Sequence, residues 1–206
     1  MNYSLSLQQK VPETIFSNEK GIKISPCGQG SGPHWFTDKY IAQVYRRIVS
    51  EETVYKVFYD GSVANTNDFI KFMRNKDNEI YFVEYDGKEA GFFWLTRFIQ
   101  KSAFINYCFY KNFWGIKTLT VSQLCIDYLF NKKDENGQFT FDVLLGLTPT
   151  SNKLAIKFLL KNGMTVLGKI PGLLYNYTED TTTDGILSFK HRNCKSKYSL
   201  SSFFFT

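Results

Sequence analysis

Histidine is almost missing from this chain, with two copies in 206 residues, and its four cysteines stand far apart. Cys27, Cys108, Cys125 and Cys194 form no C-x-x-C pair, which removes zinc-ribbon and thioredoxin-type chemistry, and they are expected to be free thiols. His34 and His191 are too distant in sequence to mark a pair, and no metal site is expected. No G-x-S-x-G is present, so a nucleophile elbow is lacking. No apolar run approaches the roughly 20 residues that cross a bilayer. The start, MNYSLSLQQK, has neither a basic leader nor an apolar centre, so the expected compartment is the cytoplasm and no membrane partner is expected. Repeats with a period of roughly 20 to 50 residues are absent as well.

Charge of one sign is in mild excess, +6 with a pI near 9.0, but it is scattered. Arg46-Arg47 and Lys132-Lys133 are only doublets, which disfavours nucleic acid as a partner and still suits a small ligand with several phosphates. Aromatic residues at 17% and hydrophobic residues at 43% give enough apolar surface for one folded domain with a full core.

The pattern along the chain is mixed. Residues 1–36 read as a lead-in ending in the loop CGQGSGPHWF, with a short strand within 21–25. Thr37-Asp38 caps an amphipathic helix whose apolar positions run from Tyr40 to Val49, and a second helix is predicted over 65–75. Residues 54–59 between them read as strand or irregular chain. Strands at 79–85 and 89–99 are joined by Asp86-Gly87, a pair suited to a tight hairpin turn, and 102–110 continues as a third strand. A helix is predicted over 118–130 and a strand over 141–147. A helix between two strands of one sheet makes those strands parallel.

Residues 152–164, NKLAIKFLLKNGM, are the most informative stretch. Ser151 or Asn152 can cap a helix whose inward face carries Leu154, Ala155, Phe158 and Leu159, and Asn162-Gly163 supplies a left-handed stop. Strands flank it at LLGLTP and MTVLGKIPG. This N-x-x-A-x-x-F-L-x-x-x-G-M run resembles the N-x-x-A-x-x-L-Y-x-x-x-G-F signature of the GNAT acyltransferase superfamily, and the element order over about 37–191 is similar to that fold. The resemblance implies an α/β (α+β mixed sheet) GNAT-like acyl-CoA N-acyltransferase fold, with a parallel strand-helix-strand unit and helices on both faces. It implies a domain at 37–192, with 193–206, ending in SLSSFFFT, as a tail that packs on the domain or a partner.

The same resemblance implies acetyl-CoA or another acyl-CoA as co-substrate and an amine as acceptor. In N-F-W-G-I-K, Gly115 matches the first glycine of the family's pyrophosphate loop, while Asn112 and Lys117 replace its usual residues. Asn112, Gly115, Ile116, Lys117 and Thr118 are the expected phosphate contacts. Phe109, Tyr110, Gly146, Thr148 and Asn152 are expected beside the acyl-pantetheine arm, in the gap between two splayed strands. The family's proton-donating tyrosine is Leu159 here, so Tyr107 and Tyr175 are the substitute donors, with Cys108 and Tyr177 behind them. Glu84 is the expected base. Two functions follow: an N-acyltransferase with a divergent site, or a GNAT-like protein, of phage or mobile-element type, that binds or assembles without catalysis. The altered residues at 117 and 159 and the added tail motivate the second. The oligomeric state stays open.

Overall fold

The computed structural model describes residues 16–17, 21–28 and 37–193. His34, Cys194 and the SLSSFFFT segment lie outside the described residues. In chain order the elements are β1 (Phe16–Ser17), β2 (Ile22–Pro26), α1 (Asp38–Ser50), α2 (Val54–Val57), α3 (Thr66–Arg74), β3 (Glu79–Tyr85), β4 (Lys88–Ile99) and β5 (Ser102–Phe109). A 3-10 turn (Lys111–Phe113) leads to α4 (Ile116–Asn131), β6 (Val143–Pro149), α5 (Lys153–Lys161), β7 (Thr165–Asn176) and β8 (Thr181–His191). One sheet holds all strands in the order β1-β2-β3-β4-β5-β6-β8-β7. Every neighbouring pair is antiparallel except β5 and β6, which the α4 crossover makes parallel.

The apolar run FFWL in β4 explains how helices come to lie on both faces. Successive side chains of a strand point to opposite sides. Phe92 and Trp94 join α1, α2 and α3 in one buried cluster, while Phe93 and Leu95 join α4 in the other. A strand buried on both faces reads as a continuous hydrophobic run, as this one does. Phe58, just past α2, stacks on Trp94 with ring centroids 5.6 Å apart, which fixes the α2 turn against the middle of the sheet.

Local signals place the helix ends. Thr37 Oγ1 accepts the Tyr40 N–H at 3.2 Å and Asn65 Oδ1 accepts the Asp68 N–H at 3.1 Å, each satisfying a first-turn donor. At the end of α5, Met164 N–H reaches Leu159 O at 3.1 Å and Gly163 N–H reaches Leu160 O at 3.0 Å, with Gly163 at φ 74. That is the Schellman pattern, and glycine meets its left-handed backbone without a Cβ penalty.

Three expectations are corrected. Residues 54–59 are not a strand: one helical turn, α2, forms next to Phe58, whose ring is buried against α3 and β4. Leu154 is 64% exposed, since Asn152 starts α5 at a point where that side chain turns away from the sheet and only Leu159 is fully inward. The last strand pair is longer than the MTVLGKIPG run: β7 passes through Pro171 to Asn176. As the edge strand it needs no N–H there, and the register shifts between Ile170 and Leu174.

Candidate functional site

The parallel pairing of β5 with β6 covers only Ser102 to Phe104 against Val143 to Leu145, after which the two strands part. The hydrogen-bond phase decides which backbone groups face the gap. On β5, Tyr110 N–H donates to Ala90 O at 3.0 Å beside the Phe109–Gly91 pair, so Cys108 and Asn106 exchange hydrogen bonds with β4. The groups of Tyr107 and the N–H of Phe109 then point into the gap, while the Phe109 carbonyl is taken by the Trp114 indole. On β6, Thr150 N–H to Asp184 O and Arg192 N–H to Asp142 O, both 2.9 Å, set the pairs with β8 at even positions. Gly146 and Thr148 are spent on β8, and Leu147 faces the gap.

A cleft of about 500 Å³ occupies this opening. Its walls are Tyr107, Cys108 and Phe109 from β5, Gly146, Leu147 and Thr148 from β6, and Asn152, Phe158 and Leu159 from α5 and its cap. Its mouth is Trp114, Gly115, Ile116 and Thr118, at the start of α4. Gly115 has φ 104 and ψ −138, a backbone region that side chains avoid, although a Cβ there would meet nothing within 4 Å. No side chain caps α4 and its first turn carries no acid, so first-turn N–H groups and the positive end of the helix are left for an anion. Trp114 closes the turn by donating its indole N–H to Phe109 O at 2.9 Å.

The expected site residues divide accordingly. Phe109, Gly115, Ile116, Thr118, Gly146, Thr148 and Asn152 line the cleft, as does Tyr107. Asn152 Oδ1 is engaged as the cap, accepting Ala155 N–H at 3.1 Å, and Thr118 donates its hydroxyl to Phe113 O. Tyr110 is not in the gap. Its N–H goes to Ala90, its carbonyl accepts Phe113 N–H, and its ring lies 3.5 Å under the Arg47 guanidinium. Asn112 is turned towards α1, where its Oδ1 accepts Arg47 at 3.2 Å, and Lys117 extends into solvent from the first turn of α4. Neither lines the cleft.

Of the expected catalytic groups only Tyr107 lines the cleft. Glu84 is held by Lys23 at 3.0 Å on the far strand of the β3–β4 hairpin, outside the cleft. Tyr175 sits on the edge strand, 44% exposed, and donates its hydroxyl to Asp180. Tyr177 packs on Gly61, outside the cleft as well. The Tyr107 hydroxyl is buried without a hydrogen-bond partner, and burial, with Cys125 nearby, drives its pKa well above the usual tyrosine value. It stays protonated. Burial likewise pushes the Cys108 thiol up to about 12, so it is no nucleophile near neutral pH.

Other wall residues gave no signal in the sequence. Thr53, Lys56, Val57 and Tyr59 reach the cleft from α2 and its flanks, and Trp94 and Asn106 reach it from β4 and β5. A single turn of helix leaves no periodicity to read, which hid the first group. Among the described residues, no group of three or more His, Cys, Asp or Glu could hold a metal, and no helix is long and apolar enough to cross a membrane.

No protein-family model matches the chain, and no curated protein sequence does. Solved structures do. The microcin C7 self-immunity acetyltransferase MccE, in complex with acetyl-CoA and AMP, superposes with a TM-score of 0.63 at 19% identity, over 84% of this chain and 93% of that one. The ribosomal L7/L12 alpha-N-protein acetyltransferase RimL, in complex with coenzyme A, gives 0.64 at 11% identity, over 86% and 97%. A GNAT-family protein from Chromobacterium violaceum gives 0.66 at 10% identity, over 86% and 85%. At such identities the likeness speaks for architecture, and with the splayed β5–β6 pair and the α4 crossover it leads to one conclusion: this chain has the GNAT acyltransferase fold.

Proposed function

We propose that the protein is an acyltransferase that takes an acetyl or other acyl group from acyl-CoA and passes it to an amine. The observation that carries this reading is the cleft itself: a gap between parallel strands with unspent backbone groups on both rims, opening at a helix start that has no cap and no acid. The first-turn N–H groups after Gly115 would hold the pyrophosphate, and the rims at Tyr107, the Phe109 N–H and Leu147 would pair with the pantetheine amides, the Phe109 carbonyl being taken by Trp114. MccE and RimL carry acetyl-CoA and coenzyme A in their structures, which supports the same co-substrate here.

In the transfer the amine nitrogen attacks the thioester carbonyl carbon, a C–N bond forms, and the C–S bond breaks. Negative charge develops on the carbonyl oxygen, where a gap-facing backbone N–H can donate to it. The proton lost by nitrogen ends on the departing thiolate. Tyr107 is the proton donor of this proposal: it stands on the β5 rim with its hydroxyl held protonated and without a partner, while the pKa of Tyr59, the other phenol of the wall, is also raised by burial, to about 12. Leu159 puts hydrocarbon where the family places a phenol.

A second reading rests on a specific observation: among the described residues no carboxylate lines the cleft, so an amine must arrive already neutral or lose its proton to water. A protein that binds acyl-CoA without turning it over has the same walls. Thiol release from acetyl-CoA over a panel of amines separates the two. Amine-dependent release establishes the transferase. Binding with no release for any amine establishes the binding protein, and absence of binding removes both.

A further inference from the structure

The cleft has a second arm that none of the coenzyme contacts uses. A groove of about 340 Å³ continues from it between α2 and the β6–α5 loop, sharing Lys56, Tyr59, Pro149, Asn152 and Leu154 with the cleft. Its own walls add Tyr55, Ser151, Lys153, Asn176 and Thr183. Two of these residues are lysines and none is acidic. The acids nearest in sequence are already engaged. Asp60 accepts the Ser62 N–H and hydroxyl, and Asp184 accepts Gly172 N–H and pairs with Lys169 at 3.2 Å.

The lysines themselves are uncommitted to carboxylates. Lys56 lies 5.7 Å from the Trp114 ring centroid, and neither Lys56 nor Lys153 takes part in an ion pair among the described residues. Lys153 is exposed in the first turn of α5, where a cation opposes the helix dipole and an anion would be favoured. A positive charge in that first turn gains nothing from the helix dipole, and it lines the same groove as Lys56 without an ion pair among the described residues. Tyr55, which lines the groove and not the cleft, is 66% exposed and leaves the groove open away from the shared end, so a longer molecule can continue out of it.

We propose that this arm is the acceptor site and that it selects a primary amine with carboxylates within one or two residues of the amine. The inference rests on the acyl-transfer reading for the word acceptor, while the selectivity is a property of the groove and is testable without turnover. The amine enters at the shared end, where Tyr59 and Asn152 meet the cleft, and the carboxylates lie against Lys56 and Lys153. A basic amine acceptor is repelled at the same point. Charge pairing of this exposed kind weakens as salt is added, because ions screen it.

The test is calorimetric binding of free glutamate and of three peptides, Ser-Glu-Glu, Ser-Gln-Gln and Ser-Lys-Lys with amidated C-termini, to the full chain. Ser-Glu-Glu is expected to bind at least tenfold tighter than Ser-Gln-Gln, with Ser-Lys-Lys weakest, and the gap should narrow at high salt. Glutamate equal to Ser-Glu-Glu identifies a free amino acid as the source, and glutamate well below it identifies a peptide N-terminus. Lys153→Glu, which suits a helix start and so leaves the fold intact, should abolish the preference. Equal binding of all three peptides, or a preference that survives Lys153→Glu, overturns the proposal. Thiol release run beside it keeps the two claims apart, since a chain that ranks the peptides but releases no thiol loses the transferase reading and keeps the anionic groove.

Discussion

The indole N–H of Trp114 donates to the carbonyl of Phe109 at 2.9 Å, so the turn entering α4 is pinned to the last residue of β5. Trp114→Phe keeps the ring and removes the donor. We expect a loss of about 1 kcal/mol in urea unfolding, the usual net worth of one hydrogen bond. Trp114 is also 43% exposed at the cleft mouth, so its emission should change when acetyl-CoA is added, and that change should be missing in Trp114→Phe.

Leu159→Tyr places a phenol in the cleft wall, at the position where the GNAT signature carries one. The side chain is buried beside Gly146 and Met164, so the larger ring should cost roughly 1–3 kcal/mol of stability by overpacking. Thiol release should nevertheless rise if thiolate departure limits the rate. A variant that is folded, binds acetyl-CoA and shows no gain would leave Tyr107 as a sufficient donor.

Ser122 donates to Asn162 Oδ1 at 2.7 Å, Asn162 donates to Phe158 O, and Lys190 donates to Asn162 O at 2.7 Å. This buried knot ties α4, the end of α5 and β8 together. Ser122→Ala strands the Asn162 oxygen, and chemical denaturation should show a loss of about 1–3 kcal/mol. Because the knot anchors α5 behind the cleft, acetyl-CoA affinity should fall in the same variant.

Burial raises the Cys27 thiol from its ordinary value near 9.0 to about 11, with Arg74 opposing in part. Cys27 is partly exposed, whereas Cys108 and Cys125 are buried. Alkylation of the folded chain should therefore mark Cys27 before the other two, and its rate should keep climbing tenfold per pH unit until about pH 11. A free thiol levels off above 9. The sign for stability is the same: the folded state favours the protonated thiol, so this contribution is full below pH 9 and is lost as pH rises through 11.

The parts of the fold written in local chemistry were legible in the sequence. The caps at Thr37 and Asn152, the Asp86-Gly87 turn, the Gly163 stop and the parallel crossover all follow from residue types at fixed spacings. Gly115, Gly146 and Thr148 came to the cleft because backbone order alone puts them there. What failed depended on the third dimension. Glu84 and Tyr175 have the right chemistry on strands that never reach the gap, and Tyr110 is one residue past the point where β5 turns its groups inward. The α2 turn and the acid-free groove beside it are set by Phe58 packing on Trp94, a long-range contact with no sequence period.

The most direct test of the account is titration of acetyl-CoA into the native chain and into Ile116→Glu. Ile116 is 86% exposed in the first turn of α4, so a glutamate there costs no packing and complements the helix dipole. The account predicts one molecule bound per native chain. It predicts at least tenfold weaker binding to the variant, about 1.4 kcal/mol, with an unfolding midpoint no lower than the native one. No binding to the native chain, or equal affinity for both proteins, would contradict it.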